Sequence, residues 1–199
     1  MASGNQGKQA EIAALCAPMG IEVVTAAELG FTEEVPETGE SFEDNARLKA
    51  VAVSQALGRP ALADDSGLVV EALDGAPGVH SARYAGPGAD DAANNAKLLA
   101  ALEGVPPERR GAAFVCVMLC RRPYGAELIA SGRLEGRIAI EPAGEAGFGY
   151  DPVFELPERG LTVAQLEPGA KNAISHRGQA LRELAAGIKE FLQGGSFRV

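Results

Sequence analysis

The sequence has few cysteines, few histidines and no long apolar run, and each shortage excludes a class of protein. Its 199 residues include 3 cysteines and 2 histidines. An odd number of cysteines in apolar surroundings indicates reduced core residues rather than a disulfide framework, and so few histidines disfavour a zinc site. No apolar stretch approaches the ~20 residues that span a bilayer, and the N-terminus lacks the basic and apolar regions of a signal peptide. We therefore expect a cytoplasmic protein with no membrane partner.

Positive charge is also scarce, because 18 lysines and arginines face 27 acids and leave a net charge of −9. This balance argues against a nucleic-acid polymer as partner. It does not exclude a polyanionic small molecule, since a few converging lysines and a divalent cation can make a local positive site. The length and the ordinary composition, 46% hydrophobic and 23% charged, predict one globular domain over residues 1–199.

Apolar spacing and turn signals predict a mixed α/β chain. Helices are predicted at residues 7–19, 42–57, 89–102 and 175–193, and strands at 21–25, 61–63, 112–121 and 127–140. The last two strands flank Pro123, Tyr124 and Gly125, which predicts an antiparallel hairpin. Helices together with at least one hairpin give the mixed-sheet α/β class.

The first candidate motif is a glycine-rich segment at residues 3–8, at the mouth of the first helix. Its glycines allow close backbone approach, the helix start offers free N–H groups, and Lys8 adds a positive charge, a combination that suits a phosphate. The same residues are equally compatible with a turn that only caps the helix. A Walker A loop is disfavoured, because Ala2 and Gln9 stand where that motif needs glycine and serine or threonine.

Acidic residues form two further motifs. Asp64, Asp65, Ser66 and Gly67 follow a short strand and are predicted to form a turn in which one carboxylate binds Mg²⁺ while the other orients a lysine or a water. The alternative is an Asx-type turn with solvated acids. Residues 37–45 place several acids at the start of the second helix, where negative charge is favourable in any case.

The second helix also carries Asn45 and Lys49, which are four residues apart and share one face. Beside a cleft they would reach a phosphate chain, and on an exposed face they would be solvated. Downstream, residues 148–152 and 175–177, together with Lys171, offer an aromatic ring, a carboxylate, a lysine and a His-Arg pair, as a purine pocket would use. Taken singly, Phe148 is also compatible with a core position, and the His-Arg pair with a polar first helical turn.

Taken together and in order, these segments resemble the inosine triphosphate pyrophosphatase (Ham1) family, which includes the bacterial dITP/XTP pyrophosphatases. The matching segments are Ser-Gly-Asn-x-Gly-Lys, Glu-Thr-Gly-x-Ser-Phe-x-x-Asn-Ala, Ala-Asp-Asp-Ser-Gly-Leu, Pro-Gly-Val-His-Ser-Ala-Arg-Tyr-Ala-Gly, Phe-Gly-Tyr-Asp-Pro-x-Phe and Ser-His-Arg-x-x-Ala-Leu. The resemblance implies an elongated α/β fold with a curved, partly antiparallel sheet flanked by helices, and two lobes with a central cleft. It also implies a homodimer and Mg²⁺-dependent hydrolysis of ITP, dITP and XTP to monophosphate and pyrophosphate.

The resemblance further assigns roles to individual residues. Glu37 and Asp65 would bind Mg²⁺, and Asp65 would also be the catalytic proton acceptor. The residues expected to hold the triphosphate are Ser3, Gly4, Asn5, Gln6, Gly7, Lys8 and Lys49, and Ser66 would contact substrate. The residues expected to enclose the purine are Phe148, Gly149, Tyr150, Asp151, Lys171, His176 and Arg177.

Two expectations remain open at this point. Family members have an apolar first strand before the glycine-rich motif, whereas here only Met1 and Ala2 precede it, so we expect that strand to be absent or reduced to a stub. The nearest alternative function is a Maf-type pyrophosphatase acting on pyrimidine nucleotides, against which the segments at 148–152 and 175–177 weigh. A nucleotide-binding protein without catalysis is a second alternative, disfavoured by the intact set of Lys8, Glu37 and Asp65.

Overall fold

A computed structural model describes residues 1–2 and 6–193 of the chain and confirms the mixed α/β class. The helices are α1 (Gln6–Cys16), α2 (Phe42–Leu57), α3 (Asp91–Ala101), α4 (Pro168–Ile174) and α5 (His176–Gln193). The strands are β1 (Ala61–Val70), β2 (Gly111–Arg121), β3 (Glu127–Ile138), β4 (Phe154–Leu156) and β5 (Leu161–Thr162). Over the described ranges, no helix combines the length and the apolar character that crossing a membrane requires.

The five strands form one sheet in the order β1-β2-β3-β4-β5. The predicted hairpin is confirmed, because β2 and β3 are neighbours in the sheet and the turn between them is closed by a hydrogen bond from Arg122 N to Ala126 O of 2.9 Å. β3 pairs antiparallel with β4, with Arg137 opposite Glu155, and β4 pairs antiparallel with β5. The sequence did not predict β4 and β5, since strands of three and two residues are too short to show a period.

Helix α2 begins and ends where its sequence predicts. Ser41 caps it, its hydroxyl accepting a hydrogen bond from Asp44 N at 3.1 Å, and Gly58 ends it with a positive φ of 60°. Its buried face carries Ala46, Ala50 and Val53, and also the polar side chains Asn45 and Lys49. The helix therefore directs two polar groups to the protein interior, where they need partners.

The predicted turn at residues 64–67 is wrong, because these residues continue β1 without a break. Successive side chains of a strand point to opposite faces, so Asp64 and Asp65 are directed to opposite sides of β1. Both are buried, with relative exposures of 0% and 5%. The alternative of an Asx turn with solvated acids is therefore excluded as well.

The predicted strand at residues 21–25 is also wrong, because the structure assigns no strand there. In this region the amino group of Met1 donates to Val24 O at 2.7 Å, and Ala26 N donates to Met1 O at 2.9 Å. On the other side, Ala2 N donates to Leu62 O at 2.9 Å. Met1 and Ala2 thus lie between residues 24–26 and β1, and hydrogen bonds to a single residue do not make a ladder.

The chain divides into two compact units. The first consists of Met1–Asp65, Cys116–Gly132 and the chain from His176 onwards. Its two cores pack α1 and α5 against β2, and α2 against β1, and the first of them includes Cys16 and Cys116. The cysteines are free and buried, as predicted, and burial raises the pKa of Cys116 to about 12. Such a thiol is inert.

The second unit consists of Ser66–Val115 and Arg133–Ser175. Its core contains Leu98 and Leu102 from α3 and its end, together with apolar residues of β1 to β4. Phe114 and Phe154 stack within this core with ring centroids 4.3 Å apart. Helix α3 is thereby fixed within this unit.

Candidate functional site

Asp64 is the centre of a buried charge cluster in the first unit. Its Oδ2 lies 3.1 Å from Lys8 Nζ and 3.6 Å from Arg177 Nε. Arg177 also pairs with Glu11, one turn along α1 from Lys8. Burial alone would raise the pKa of Asp64, but the charges of Lys8, Arg177 and Lys49 outweigh it and hold that pKa well below its usual range. Asp64 is therefore ionised and holds two cations in place.

The glycine-rich motif is only partly described. Ser3, Gly4 and Asn5 lie outside the described residues, as does the side chain of Gln6. Gly7 and Lys8 lie in the first turn of α1, where free N–H groups and the helix dipole favour an anion. Lys8 keeps 16% of its side chain exposed, so its ammonium group is fixed by Asp64 without being sealed from solvent.

A second cluster in the same unit joins Glu37 and Asp65, which are predicted to bind metal, with Lys49, which is one of the residues predicted to bind phosphate. Lys49 Nζ lies 2.8 Å from Glu37 Oε1 and 3.0 Å from Asp65 Oδ1. Asn45 Nδ2 donates to the other oxygen of Asp65 at 3.2 Å, and Asn45 Oδ1 accepts from Gly39 N at 2.8 Å. Both oxygens of Asp65 are thus held by side chains from the buried face of α2.

The electrostatics of this cluster differ from those around Asp64. Burial lowers the pKa of Lys49, but Asp65, Asp64 and Glu37 outweigh it and the pKa is raised, which keeps the lysine charged. Burial raises the pKa of Asp65, and although Lys49 and Lys8 oppose that effect, the net shift is upward. Asp65 therefore has a higher proton affinity than an ordinary aspartate, which suits a general base.

The donor set of Glu37 and Asp65 fits a magnesium ion that is completed by a ligand. The two carboxylates already converge on one cation, the ammonium group of Lys49. Mg²⁺ commonly binds through one or two protein carboxylates and takes its other ligands from water and substrate phosphates. Within the residues that the structure describes, no three His, Cys, Asp or Glu side chains could enclose a metal. Glu37 and Asp65 therefore supply the number and type of protein ligands that Mg²⁺ commonly uses.

A third cluster, in the second unit, joins Phe148, Asp151 and Lys171. Asp151 Oδ2 accepts hydrogen bonds from Lys171 Nζ at 2.7 Å and from Phe148 N at 3.0 Å. Lys171 Nζ also lies 4.8 Å from the centroid of the Phe148 ring. Gly147 makes this arrangement possible, because a Cβ there would come within 2.0 Å of Asp151 Oδ2. An aromatic face, a carboxylate and an ammonium group are thus held together, and their use in base recognition stays a prediction.

The remaining predicted site residues have varied positions. Tyr150 lies in the core of the second unit and donates its hydroxyl to Ser81 O at 2.8 Å, and burial raises its pKa. The Tyr150 ring therefore supports the segment at residues 148–152 from within the core. Ser66 is half-buried in β1, and His176 is the buried first residue of α5. Gly149 has a positive φ of 64° in the turn after Phe148.

Sequence reasoning missed several residues that hold these clusters together. Asp91 and Asn95 of α3 both bind the backbone of Gly149, which follows them by more than 50 residues. Glu11 supports Arg177 across 166 residues. Asn45, by contrast, was singled out by its four-residue spacing to Lys49, whereas the distant pairs had no such signal because their contacts are set by tertiary packing.

Comparison with known proteins places this chain in a family. A model of the Ham1 family matches residues 1–187. A dITP/XTP pyrophosphatase from Geobacillus kaustophilus is 51% identical over 194 residues, which are 98% of this chain and 95% of that protein. Another from Xanthomonas oryzae pv. oryzae is 53% identical over 186 residues, 92% of this chain and 93% of that protein. The solved structure of a HAM1 protein from Coxiella burnetii has a TM-score of 0.86 at 46% identity and covers 95% of this chain and 96% of that one. This chain belongs to the Ham1 family.

Proposed function

We propose that this chain hydrolyses non-standard purine nucleoside triphosphates, namely ITP, dITP and XTP, to the monophosphate and pyrophosphate. The observation that carries the proposal is that Glu37 and Asp65 both form ion pairs with Lys49, next to the ion pair of Lys8 and Asp64. The relatives reported above, about half identical over nearly the whole chain, are named dITP/XTP pyrophosphatases. The family match therefore favours the purine over the pyrimidine alternative.

The phosphate chain is bound by fixed cations in this proposal. Lys8 and Lys49 are held in place by buried acids, so their ammonium groups need little reorganisation when an anion arrives. Glu37 and Asp65 would hold Mg²⁺, which neutralises charge on the pyrophosphate leaving group when it is bound. Phosphoryl transfer depends chiefly on such positioning and charge stabilisation.

Asp65 is the group that orients and deprotonates the attacking water. Its raised pKa favours proton uptake, and Asn45 and Lys49 fix the direction of its carboxylate. A bound divalent cation would lower the proton affinity of Asp65. Asn45 and Lys49 therefore have a second role: they hold the carboxylate so that it can orient a water at the α-phosphorus even when it is a weaker base.

The cluster of Phe148, Asp151 and Lys171 selects the base. A 6-oxopurine has an acceptor at O6 and a donor at N1, and adenine has the reverse pattern. Lys171 would donate to O6 and Asp151 would accept from N1–H, while Phe148 provides a stacking face. Against adenine both groups would be left unpaired, and such mismatches can discriminate by up to about 10⁴-fold. GTP presents the same edge as ITP, so this cluster alone does not reject it.

The test is a substrate panel with product identification. Purified protein with Mg²⁺ is incubated with ITP, XTP, ATP, GTP and dTTP, and pyrophosphate and orthophosphate are measured separately. We expect pyrophosphate from ITP and XTP at rates well above those from ATP. Fast turnover of dTTP with no turnover of ITP would support the Maf-type alternative, and orthophosphate as first product would refute a pyrophosphatase.

A variant pair separates catalysis from binding alone. Asp65→Asn keeps the shape of the side chain and removes the base, and Glu135→Gln removes an exposed carboxylate that pairs with Arg133. We expect Asp65→Asn to lose at least about 100-fold in kcat, and Glu135→Gln to keep the wild-type rate. Unchanged ITP hydrolysis in Asp65→Asn would refute the catalytic assignment.

The homodimer stays a prediction, which sedimentation velocity of the purified protein tests.

A further inference from the structure

Two side chains of α3 bind Gly149 through both of its backbone polar groups. Asp91 Oδ2 accepts from Gly149 N at 2.6 Å, and Asn95 Nδ2 donates to Gly149 O at 3.0 Å. Asp91 and Asn95 are four residues apart, so they share one face of the helix. Gly149 stands between Phe148 and Tyr150, in the segment to which the proposed function assigns base recognition. We call this pair of hydrogen bonds the Gly149 clamp.

Gly149 is a residue whose conformation needs such support. Its φ of 64° lies in the left-handed region, and an added Cβ would meet nothing within 4 Å. Glycine is therefore required there by its backbone conformation and not by lack of space, and it is also the residue with the most backbone freedom to lose. Phe148 N is held by Asp151 and the Tyr150 hydroxyl by Ser81 O. The clamp fixes the residue between them.

Asn95 contributes one amide atom, Nδ2, to this clamp. It is 8% exposed, and its Oδ1 is buried without a hydrogen-bond partner among the described residues. The neighbouring Asn94 differs, because its Oδ1 accepts from Ala85 N at 2.7 Å and its Nδ2 donates to Ala82 O at 3.3 Å. Asn94 therefore stabilises the fold through hydrogen bonds of both its amide atoms, whereas Asn95 forms one hydrogen bond, to Gly149.

We propose that Asn95, together with Asp91, is a positioning residue for base selection. It acts through Gly149 and keeps Phe148 and Asp151 in the arrangement that distinguishes a 6-oxopurine from adenine. The inference rests on the proposed function, and it adds a determinant of selectivity that lies on α3, outside the residues that would touch the base.

The test compares Asn95→Ala with Asn94→Ala, two buried asparagines on one helix. The measurements are kcat and KM for ITP and for ATP, and the melting temperature of each variant. We expect Asn95→Ala to lower the ratio of kcat/KM for ITP over ATP by about tenfold, the equivalent of one lost hydrogen bond, mainly through a higher KM for ITP. Its melting temperature should fall less than that of Asn94→Ala, which should keep the wild-type ratio.

Asp91 gives an independent comparison. Asp91→Asn and Asp91→Ala both remove the charge from the first turn of α3, but only the asparagine retains an oxygen that can accept from Gly149 N. We expect Asp91→Asn to keep most of the ITP selectivity and Asp91→Ala to lose it to the same degree as Asn95→Ala. The difference between the two variants measures the hydrogen bond apart from the charge.

The outcomes separate this inference from the proposed function. If the wild-type protein releases pyrophosphate from ITP and Asn95→Ala keeps the wild-type ratio, only the inference is overturned. Equal loss of selectivity in Asn94→Ala, or equal behaviour of the two Asp91 variants, would overturn it too. A wild-type protein that does not act on ITP would overturn both.

Discussion

Replacing Asp64 should lower folding stability, whereas replacing its neighbour Asp65 should remove activity and leave stability nearly unchanged. Asp64 is fully buried between Lys8 and Arg177, so Asp64→Asn leaves two cations without their shared anion. Removing one partner of a buried ion pair costs about 3–5 kcal/mol. Arg177 retains Glu11, and Lys8 is 16% exposed, which favours the lower end of that range. We expect the free energy of unfolding of Asp64→Asn to fall by about 3 kcal/mol.

Asp65→Asn should behave differently because burial raises the pKa of Asp65. A carboxyl group whose pKa is higher in the folded protein binds protons more tightly there, so its ionised form at neutral pH opposes folding. The neutral asparagine removes that opposition, and Lys49 keeps its pair with Glu37. We expect the stability of Asp65→Asn to stay within about 1 kcal/mol of the wild type, while its hydrolysis of ITP is lost.

The assay is urea and thermal unfolding followed by circular dichroism at pH 7.5, without Mg²⁺ or nucleotide. For a chain of this size, about 3 kcal/mol corresponds to a fall in Tm of about 6–12 °C for Asp64→Asn. Glu135→Gln, on the exposed surface, is the control. Equal stability losses in the two aspartate variants, or a more stable Asp64→Asn, would refute the assignment of a structural role to Asp64 and a chemical role to Asp65.

Three further substitutions test the cluster of Glu37, Lys49 and Asp65 and the cluster of Phe148, Asp151 and Lys171. Glu37→Gln should raise the Mg²⁺ concentration needed for half-maximal pyrophosphate release at least about tenfold, and EDTA should abolish release from the wild type. Lys171→Met should lower the ratio of kcat/KM for ITP over ATP about 100-fold, the value of a charged hydrogen bond. Gly147→Ala should displace the Asp151 carboxylate, since the added Cβ would come within 2.0 Å of it, and kcat/KM for ITP should fall with it.

Each of these has a matched control. Glu40→Gln removes an exposed acid three residues from Glu37, and Lys189→Met removes an exposed lysine of α5. Gly160→Ala introduces a side chain at a φ of 63° where nothing lies within 4 Å, so it reproduces the backbone strain of Gly147→Ala without the collision. A control that lost as much metal affinity, selectivity or ITP hydrolysis as its partner would contradict the corresponding assignment.

The sequence predicts local structure well where the signal is local. Ser41, Gly58 and the spacing of Ala46, Ala50 and Val53 define α2 because capping and helical period are properties of neighbouring residues. The hairpin of β2 and β3 follows for the same reason. Residues 21–25 have a β-rich composition but form no strand, and Met1 contacts them through Val24 O without making a ladder. Composition indicates the β-propensity of a segment, but it does not show whether another strand pairs with that segment.

The candidate site was predicted by residue type, but its internal connections were not. The sequence places Glu37, Lys49 and Asp65 in recognisable motifs, and the structure joins them within hydrogen-bonding distance. The sequence gives no sign that Asp91 and Asn95 bind Gly149, because this contact depends on how α3 packs within its unit. Supporting residues of this kind have no motif of their own, since any element that reaches the backbone could supply the hydrogen bond.

The change from a predicted turn to a continuous strand at Asp64 and Asp65 decides how the two acids divide their roles. In a turn the directions of two adjacent side chains depend on the turn type, and both could reach one ligand. In β1 they point to opposite faces, so one acid meets Lys8 and Arg177 and the other meets Lys49 and Asn45. The strand therefore separates a carboxylate that anchors cations from one whose proton affinity is raised. A shift of β1 by one residue would exchange the environments of the two acids. Insertion of one residue between Ala61 and Asp64 should therefore prevent stable folding and abolish hydrolysis.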